Sequence, residues 1–206
     1  MNDIKIVKLD VAGQKENSRN IANVYKEVFG SDPWNEGYKC PECVNDNIYP
    51  LSFTGKFCPK CSLLGKKVEL DEYWPINQII SDFKNEMLKP GAICCIANDE
   101  SKVIGFAWGY DMSVNEETDK HLEAPGLFKI IGRKNYRYID EVAVLPKYRN
   151  MGIGKSLVTN ICKNDNFQPI LLRTKYNSPA FRMFLQFNGK VVLNITRDRV
   201  IMILNP

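Results

Sequence analysis

The chain has 206 residues, 44% of them hydrophobic, and a formal charge of +4. That length suits one domain with an insertion, the apolar share is ample for a core, and the mild, interspersed charge gives no argument for a nucleic-acid binder. No apolar stretch approaches membrane-spanning length, and Met1-Asn2-Asp3-Ile4 lacks the charged start and apolar core of a signal peptide, so a cytoplasmic protein is expected.

Ile4 to Leu9 partly alternates and fits a first strand near a sheet edge. Asn17 or Ser18 can cap a helix with Ile21, Val24, Tyr25, Val28 and Phe29 facing inward and Gly30 at its end. The turn-rich loop Ser31 to Glu36 follows, where Trp34 can wall a pocket or cover a sheet edge. Next come two C-P-x-C knuckles, Cys40-Pro41-Glu42-Cys43 and Cys58-Pro59-Lys60-Cys61, at the spacing of a four-cysteine zinc ribbon. In a reducing compartment such cysteines are read as metal ligands before disulfides. Four protein ligands leave no open position, which makes a zinc ion at Cys40, Cys43, Cys58 and Cys61 structural. A redox dithiol is the rival, disfavoured because neither pair sits in a thioredoxin-like βαβ pattern. Residues 37–70 carry five Lys against three acidic groups, too balanced for a nucleic-acid track.

Pro75 opens a second helix with Ile76, Ile79, Ile80, Phe83, Met87 and Leu88 on its core face, stopped by Pro90-Gly91. Ala92 to Ala97 and Lys102 to Tyr110 form a hairpin around Asn98-Asp99-Glu100-Ser101. Cys94 and Cys95 are neighbours on a strand, point to opposite faces, and are assigned to packing. Asp111 to Arg133 has no clear pattern, and its His121, the only histidine, is placed on the surface.

Tyr138 to Val144 reads as a buried strand closed off by Pro146, and the turn Arg149-Asn150-Met151-Gly152-Ile153-Gly154-Lys155 opens into a helix with Ile153, Leu157, Val158 and Ile161 at apolar spacing. The first N–H groups of such a helix lack partners and carry its positive dipole end, so the junction is an anion seat, flanked by Lys147, Arg149 and Lys155. Two glycines near a helix start are by themselves as well explained by a simple turn. The run lacks both the nucleoside-triphosphate loop and the three-glycine dinucleotide spacing.

Arg149-x-x-Gly152-x-Gly154, preceded by Glu141-Val142-Ala143-Val144 and Pro146, resembles the acetyl-CoA pyrophosphate loop of the GNAT superfamily of N-acetyltransferases. The resemblance implies an α/β acyl-CoA N-acyltransferase fold over residues 1–206, with a mixed, mostly antiparallel central sheet flanked by helices. Residues 38–66 then form a zinc-ribbon insertion where the family passes from its first helix to its second. It implies acetyl-CoA as cosubstrate, with Arg149, Asn150, Met151, Gly152, Ile153, Gly154, Lys155 and Ser156 at the pyrophosphate. The backbone of Val142, Ala143 and Val144 would pair with the pantetheine arm. The ribbon would wall or cover the acceptor channel, with Tyr38, Tyr49, Phe53 and Phe57 available for contacts.

Pro169 to Thr174 is a further strand, and Asn177 or Ser178 can cap a last helix with Pro179 in its first turn and Ala180, Phe181, Phe184 and Leu185 inward. Asn177-x-x-Ala180 resembles the family's second cofactor block. The chain departs from the family at Phe184, where many relatives place the Tyr that protonates the leaving thiolate, so Tyr176, Tyr138 or solvent must supply that proton. Lys190 to Ile195 and Arg199 to Leu204 close the sheet as a hairpin.

Acetyl transfer to an amine needs a neutral nucleophile held about 3–3.5 Å from the thioester carbon and a group to take its proton. Asp140 and Glu141 are the candidates, and strict strand alternation would send only one of them to the acceptor pocket. The resemblance favours Asp140, with Glu141 second. Either carboxylate could instead bind a cationic acceptor or pair with Arg137 or Arg173. Together with Glu36 they lean toward a small cationic amine rather than a protein. The alternative is a catalytically weak scaffold whose ribbon binds a protein or nucleic acid. Oligomeric state stays open, with a homodimer among the options.

Overall fold

The computed structural model describes residues 4–43, 47–132, 134–163 and 169–204. The readings on Met1–Asp3, on residues 44–46 of the ribbon and on Arg133 lie outside that set.

One sheet holds seven strands: β1 (Ile4–Lys8), β5 (Ile93–Asp99), β6 (Lys102–Ser113), β7 (Asn135–Val144), β8 (Ile170–Lys175), β9 (Lys190–Asn194) and β10 (Arg199–Leu204). Their order across the sheet is β1-β5-β6-β7-β8-β10-β9. All neighbours are antiparallel except β7 and β8. The first strand lies at the edge, as its pattern indicated. Helices α1 (Val11–Phe29) and α3 (Ile76–Glu86) cover one face, where Tyr25 stacks on Phe106 and Trp108 and Phe83 meets Trp108. Helix α6 (Ile153–Cys162) crosses β5, β6 and β7 on the opposite face, burying Ile153, Leu157, Val158 and Ile161. Helix α7 (Pro179–Gln186) packs on β8. The stretch without a pattern holds the short helices α4 (Glu116–His121) and α5 (Leu127–Ile131), which close a second apolar cluster around Tyr110, Tyr138, Leu171 and Ile201. His121 is exposed.

Several boundaries differ from the sequence reading for physical reasons. Helix α1 starts at Val11, not near Ser18, because the Asp10 side chain accepts the Gly13 N–H at 2.7 Å. Its first turns are largely solvent-facing, so they carry no apolar period. Leu88 is 84% exposed, since α3 has already ended, and Leu185 is 46% exposed. Ser178, not Asn177, caps α7 by accepting the Phe181 N–H at 3.0 Å. Cys94 and Cys95 are both fully buried, one toward each face.

Between α1 and α3 lies a second, three-stranded sheet, made of Tyr38–Lys39 (β2), Ile48–Tyr49 (β3) and Asp71–Glu72 (β4) in the order β3-β2-β4, with the one-turn helix α2 (Pro59–Leu63). Among the described residues no helix is long and apolar enough to cross a membrane.

Candidate active site

The pairing of β7 with β8 stops at Ile139 and Leu172. Beyond that point β8 pairs only with β10, so the edges of Val142, Ala143 and Val144 face open space. The chain then turns through Pro146–Tyr148 to Arg149, Asn150 and Gly152, the last two at φ 64 and 76. Gly152 caps α6, and an added Cβ there would meet nothing within 4 Å, so the demand for glycine is the left-handed dihedral. Ser156 is the first α6 amide bonded back to Gly152 O, at 3.0 Å, which leaves those of Ile153, Gly154 and Lys155 without intrahelical partners.

These edges and amides line one cavity of about 630 Å³, closed by Val28, Trp34, Pro179, Ala180 and Met183. Arg149, Asn150 and Lys155 border it. Arg149 Nε also donates to Val144 O at 3.3 Å, which ties the turn to the strand end. Three expected contacts stand outside this lining. Met151 is 54% exposed, Ser156 begins the helix interior, and Asn177 sits at φ 59 with its carbonyl accepting from Arg182. Trp34 does wall the cavity, tilted against Phe29 with Lys175 over its face.

At the inner end, β7 breaks the alternation rule. Ile139 opposes Gly109 and Glu141 opposes Trp108, so Asp140 is an extra residue in a β-bulge. Gly109 permits it: a Cβ there would lie 2.3 Å from Tyr138 O. As a result the two carboxylates share the α1–α3 face rather than taking opposite ones. Asp140 accepts Trp108 Nε1–H at 3.3 Å, and Glu141 accepts the Tyr25 hydroxyl at 3.2 Å. Among the described residues no arginine forms an ion pair with either. Arg137 holds Asp111 at 2.9 Å, and Arg173 reaches Glu123 at 3.3 Å.

Two further carboxylates extend this row: Glu36, which the sequence reading grouped with Asp140 and Glu141, and Glu86, which it did not. Glu86, in the last turn of α3, lies beside Asp140 and binds Lys89 at 2.7 Å. Its signal was a charged residue three positions after the buried Phe83, on an otherwise apolar face. Glu36 is 7% exposed, accepts Trp74 Nε1–H at 3.0 Å and lies 3.6 Å from Arg199. Burial, then the charge of Glu86, pushes Asp140 up to about 7. Burial, then Asp140, also pushes Glu141 well above the usual carboxylate range, while the Tyr25 hydrogen bond works against the rise.

A raised carboxyl pKa makes the native state bind more protons than the unfolded chain between the two pKa values. Stability therefore falls as pH rises from about 4 to about 7 and is flat beyond. The expected result is that Asp140→Asn is more stable than wild type at pH 8 by about 1–3 kcal/mol, discounted for partial exposure, with the gap closing near pH 4. Urea unfolding at the two pH values checks it; an equal or less stable variant at pH 8 contradicts the burial of this charge.

The expected acids lie elsewhere. Tyr176 is on the surface, with its hydroxyl donating to Asn194 Oδ1 at 2.7 Å, and Tyr138 is buried against Tyr110. Phe184 is fully buried.

In the small sheet, the Sγ atoms of Cys40, Cys43, Cys58 and Cys61 lie within 4.8 Å of one another. Three of the pairs are 3.6–3.7 Å apart. A tetrahedron with Zn–S bonds of about 2.3 Å has edges of about 3.8 Å, so the cluster is compatible with a zinc ribbon. The Tyr49 and Phe53 rings meet at a tilt, 4.8 Å between centroids, and Tyr49 Oη lies 3.5 Å from Cys58 Sγ. Lys67 covers the Phe57 ring. These aromatics pack within the ribbon.

Residues 62–189 match the family model described as Acetyltransferase (GNAT) family. No curated protein matches the chain. Among solved structures, PH1933 from Pyrococcus horikoshii OT3 is 19% identical over 99% of each chain, with a TM-score of 0.60. An acetyltransferase from Thermus thermophilus is 8% identical over 100% of each chain, at 0.56. The PaiA N-acetyltransferase of Thermoplasma acidophilum, solved in complex with coenzyme A, is 14% identical over 99% of each chain, at 0.55. At these identities the likeness concerns the fold.

Proposed function

The chain belongs to the GNAT acetyltransferase family, and from that premise we propose that it transfers an acetyl group from acetyl-CoA to the primary amine of a small cationic acceptor by direct attack. The observation that carries the reading is the seat of unpartnered α6 amides beside the open edge of β7. The amides of Ile153, Gly154 and Lys155 suit a pyrophosphate, and the Val142–Val144 edge suits the peptide-like pantetheine arm. Asn177 supplies a further contact to that arm once it is bound.

The bulge makes Glu141 the better base. It directly precedes Val142 on the cavity lining, and Tyr25 precedes the lining residue Val28 by one helical turn. Glu141 takes the proton of the bound ammonium, and the neutral nitrogen attacks the thioester carbon while a strand N–H polarises the carbonyl oxygen. As the N–C bond forms and the C–S bond breaks, the nitrogen passes its second proton to water and the departing thiolate takes one from water, because Phe184 has none to give. Asp140 and Glu86 add negative charge that favours a cationic acceptor.

Residues 38–66 act as an insertion stapled by zinc at Cys40, Cys43, Cys58 and Cys61. The ion supplies cross-linking rather than catalysis, since four thiolates close its coordination. Chelation is expected to open the amides of residues 38–43 and 58–72 to hydrogen exchange while those of β5–β7 stay protected. Full protection after the metal is removed would contradict a structural zinc. The seven cysteines, none in a disulfide, fit a reducing compartment such as the cytoplasm.

The direct test is thiol release from acetyl-CoA with a panel of amines. The buried Phe184 favours the second reading, a catalytically weak scaffold, which would give acetyl-CoA binding without turnover on any amine.

A further inference from the structure

The ribbon leaves the main fold at Glu36 and returns at Trp74, and these two roots hold each other. Trp74 Nε1–H donates to Glu36 Oε2 at 3.0 Å, and the buried Glu36 keeps its other oxygen 3.6 Å from Arg199 on β10. Two backbone bonds fix the roots to the small sheet: Tyr73 N–H to Gly37 O at 3.0 Å and Gly37 N–H to Tyr49 O at 2.9 Å. The Trp74 ring meets the Tyr25 ring edge-on at 5.6 Å, and the Tyr25 hydroxyl donates to Glu141. A continuous line of contacts therefore runs from the four cysteines to the carboxylate proposed as base.

We propose, on the acetyltransferase reading above, that the cysteine ribbon is a positioning arm for the catalytic carboxylate: Glu36 and Trp74 hold Tyr25 in place, and Tyr25 holds Glu141. Without the cross-link at the knuckles, the roots are joined through the two-residue β2–β4 pairing, the Tyr73–Gly37 bond and the Trp74–Glu36 bond, and these must then meet the entropic cost of closing a long connection. The arm reaches the base through Tyr25, and neither Glu36 nor Trp74 lines the cavity with the α6 amides. Losing it should lower kcat and leave acetyl-CoA binding intact.

The charges facing Glu141 set the sign of the test. They are Asp140 on β7, Glu36 after α1 and Arg173 on β8, with the Tyr25 hydroxyl donating from α1. Glu86 and Lys89 act through Asp140, and Arg199 acts through Glu36. The Tyr25 hydrogen bond holds Glu141 down and the charge of Glu36 holds it up. Glu36→Gln can still accept from Trp74 but loses its charge and frees Arg199, so the acid limb of kcat/KM moves to lower pH. Tyr25→Phe loses the hydrogen bond, so the limb moves to higher pH. Opposite displacements at two residues joined through Trp74 are not what a general loosening produces.

The experiment uses the full-length protein with acetyl-CoA and an amine that the wild type turns over. The expected results are limb shifts of opposite sign, each about half a pH unit or more. Trp74→Phe and chelator-treated wild type should each lose about tenfold in kcat with acetyl-CoA affinity within twofold. In the chelated protein the Trp74 indole N–H resonance should also move. Limbs that stay in place or move together, or a metal-free protein with unchanged kcat and indole signal, overturn the arm while leaving the acetyltransferase reading standing. A wild type that releases no thiol with any amine overturns both.

Discussion

Glu141→Gln is expected to lower kcat by about 10²–10⁴-fold, the usual contribution of a positioned general base, with acetyl-CoA affinity within twofold of wild type. The amide side chain is isosteric and its oxygen can still accept from Tyr25, so the pocket keeps its shape while losing the group that takes the proton. Asp140→Asn should fall less, by about tenfold, and mostly through acceptor KM, because Asp140 is already occupied by Trp108 Nε1–H and flanked by Glu86. Wild-type kcat/KM should fall toward acid pH, because Asp140, pushed up to about 7, and Glu141, held well above the usual carboxylate range, take up protons there. Steady-state rates of the wild type and the two variants across pH 5 to 9 check all three statements. A larger kcat loss in Asp140→Asn would exchange the roles of the two carboxylates.

Gly154→Asp should weaken acetyl-CoA binding about 100-fold with little change in unfolding temperature. A carboxylate at the second helical position satisfies α6 amides itself and suits the dipole, which stabilises a helix by about 0.3–1 kcal/mol. It also occupies the cavity with the charge of the ligand, so binding and stability move apart. The added Cβ would meet the end of the flexible Met183 at 3.1 Å, a contact that side chain can relieve. Gly152→Ala should behave in the reverse way. It meets nothing within 4 Å, but its φ of 76 costs about 1 kcal/mol for a residue with a Cβ. Titration calorimetry with thermal melts separates these outcomes, and an unchanged Kd for Gly154→Asp would remove the anion seat from the account.

The turn between β7 and α6 was legible because its demands are local: a left-handed dihedral at Gly152, small size at Gly154 and apolar spacing from Ile153 onward. The ribbon was legible because four thiolates at knuckle spacing have few other uses. The carboxylate arrangement was not. Alternation along β7 holds only while one residue opposes one, and the extra Asp140 turned two faces into one. A trace of it lay in Gly109, an isolated glycine in the middle of β6, where only a missing side chain lets Tyr138 O approach. The Tyr25–Glu141 bond spans 116 residues of chain and leaves no periodic mark in either segment. Glu86 was hidden for a similar reason, since its partner lies on another element.

The account stands most directly on where acetyl-CoA settles. Amide ¹⁵N–¹H spectra of the full-length protein, recorded as acetyl-CoA is added, should show the largest shifts at Gly152, Ile153, Gly154 and Lys155 and along Val142 to Val144, with the ribbon amides little changed. Shifts concentrated elsewhere, or no response at saturating acetyl-CoA, would contradict a pyrophosphate seat at the start of α6.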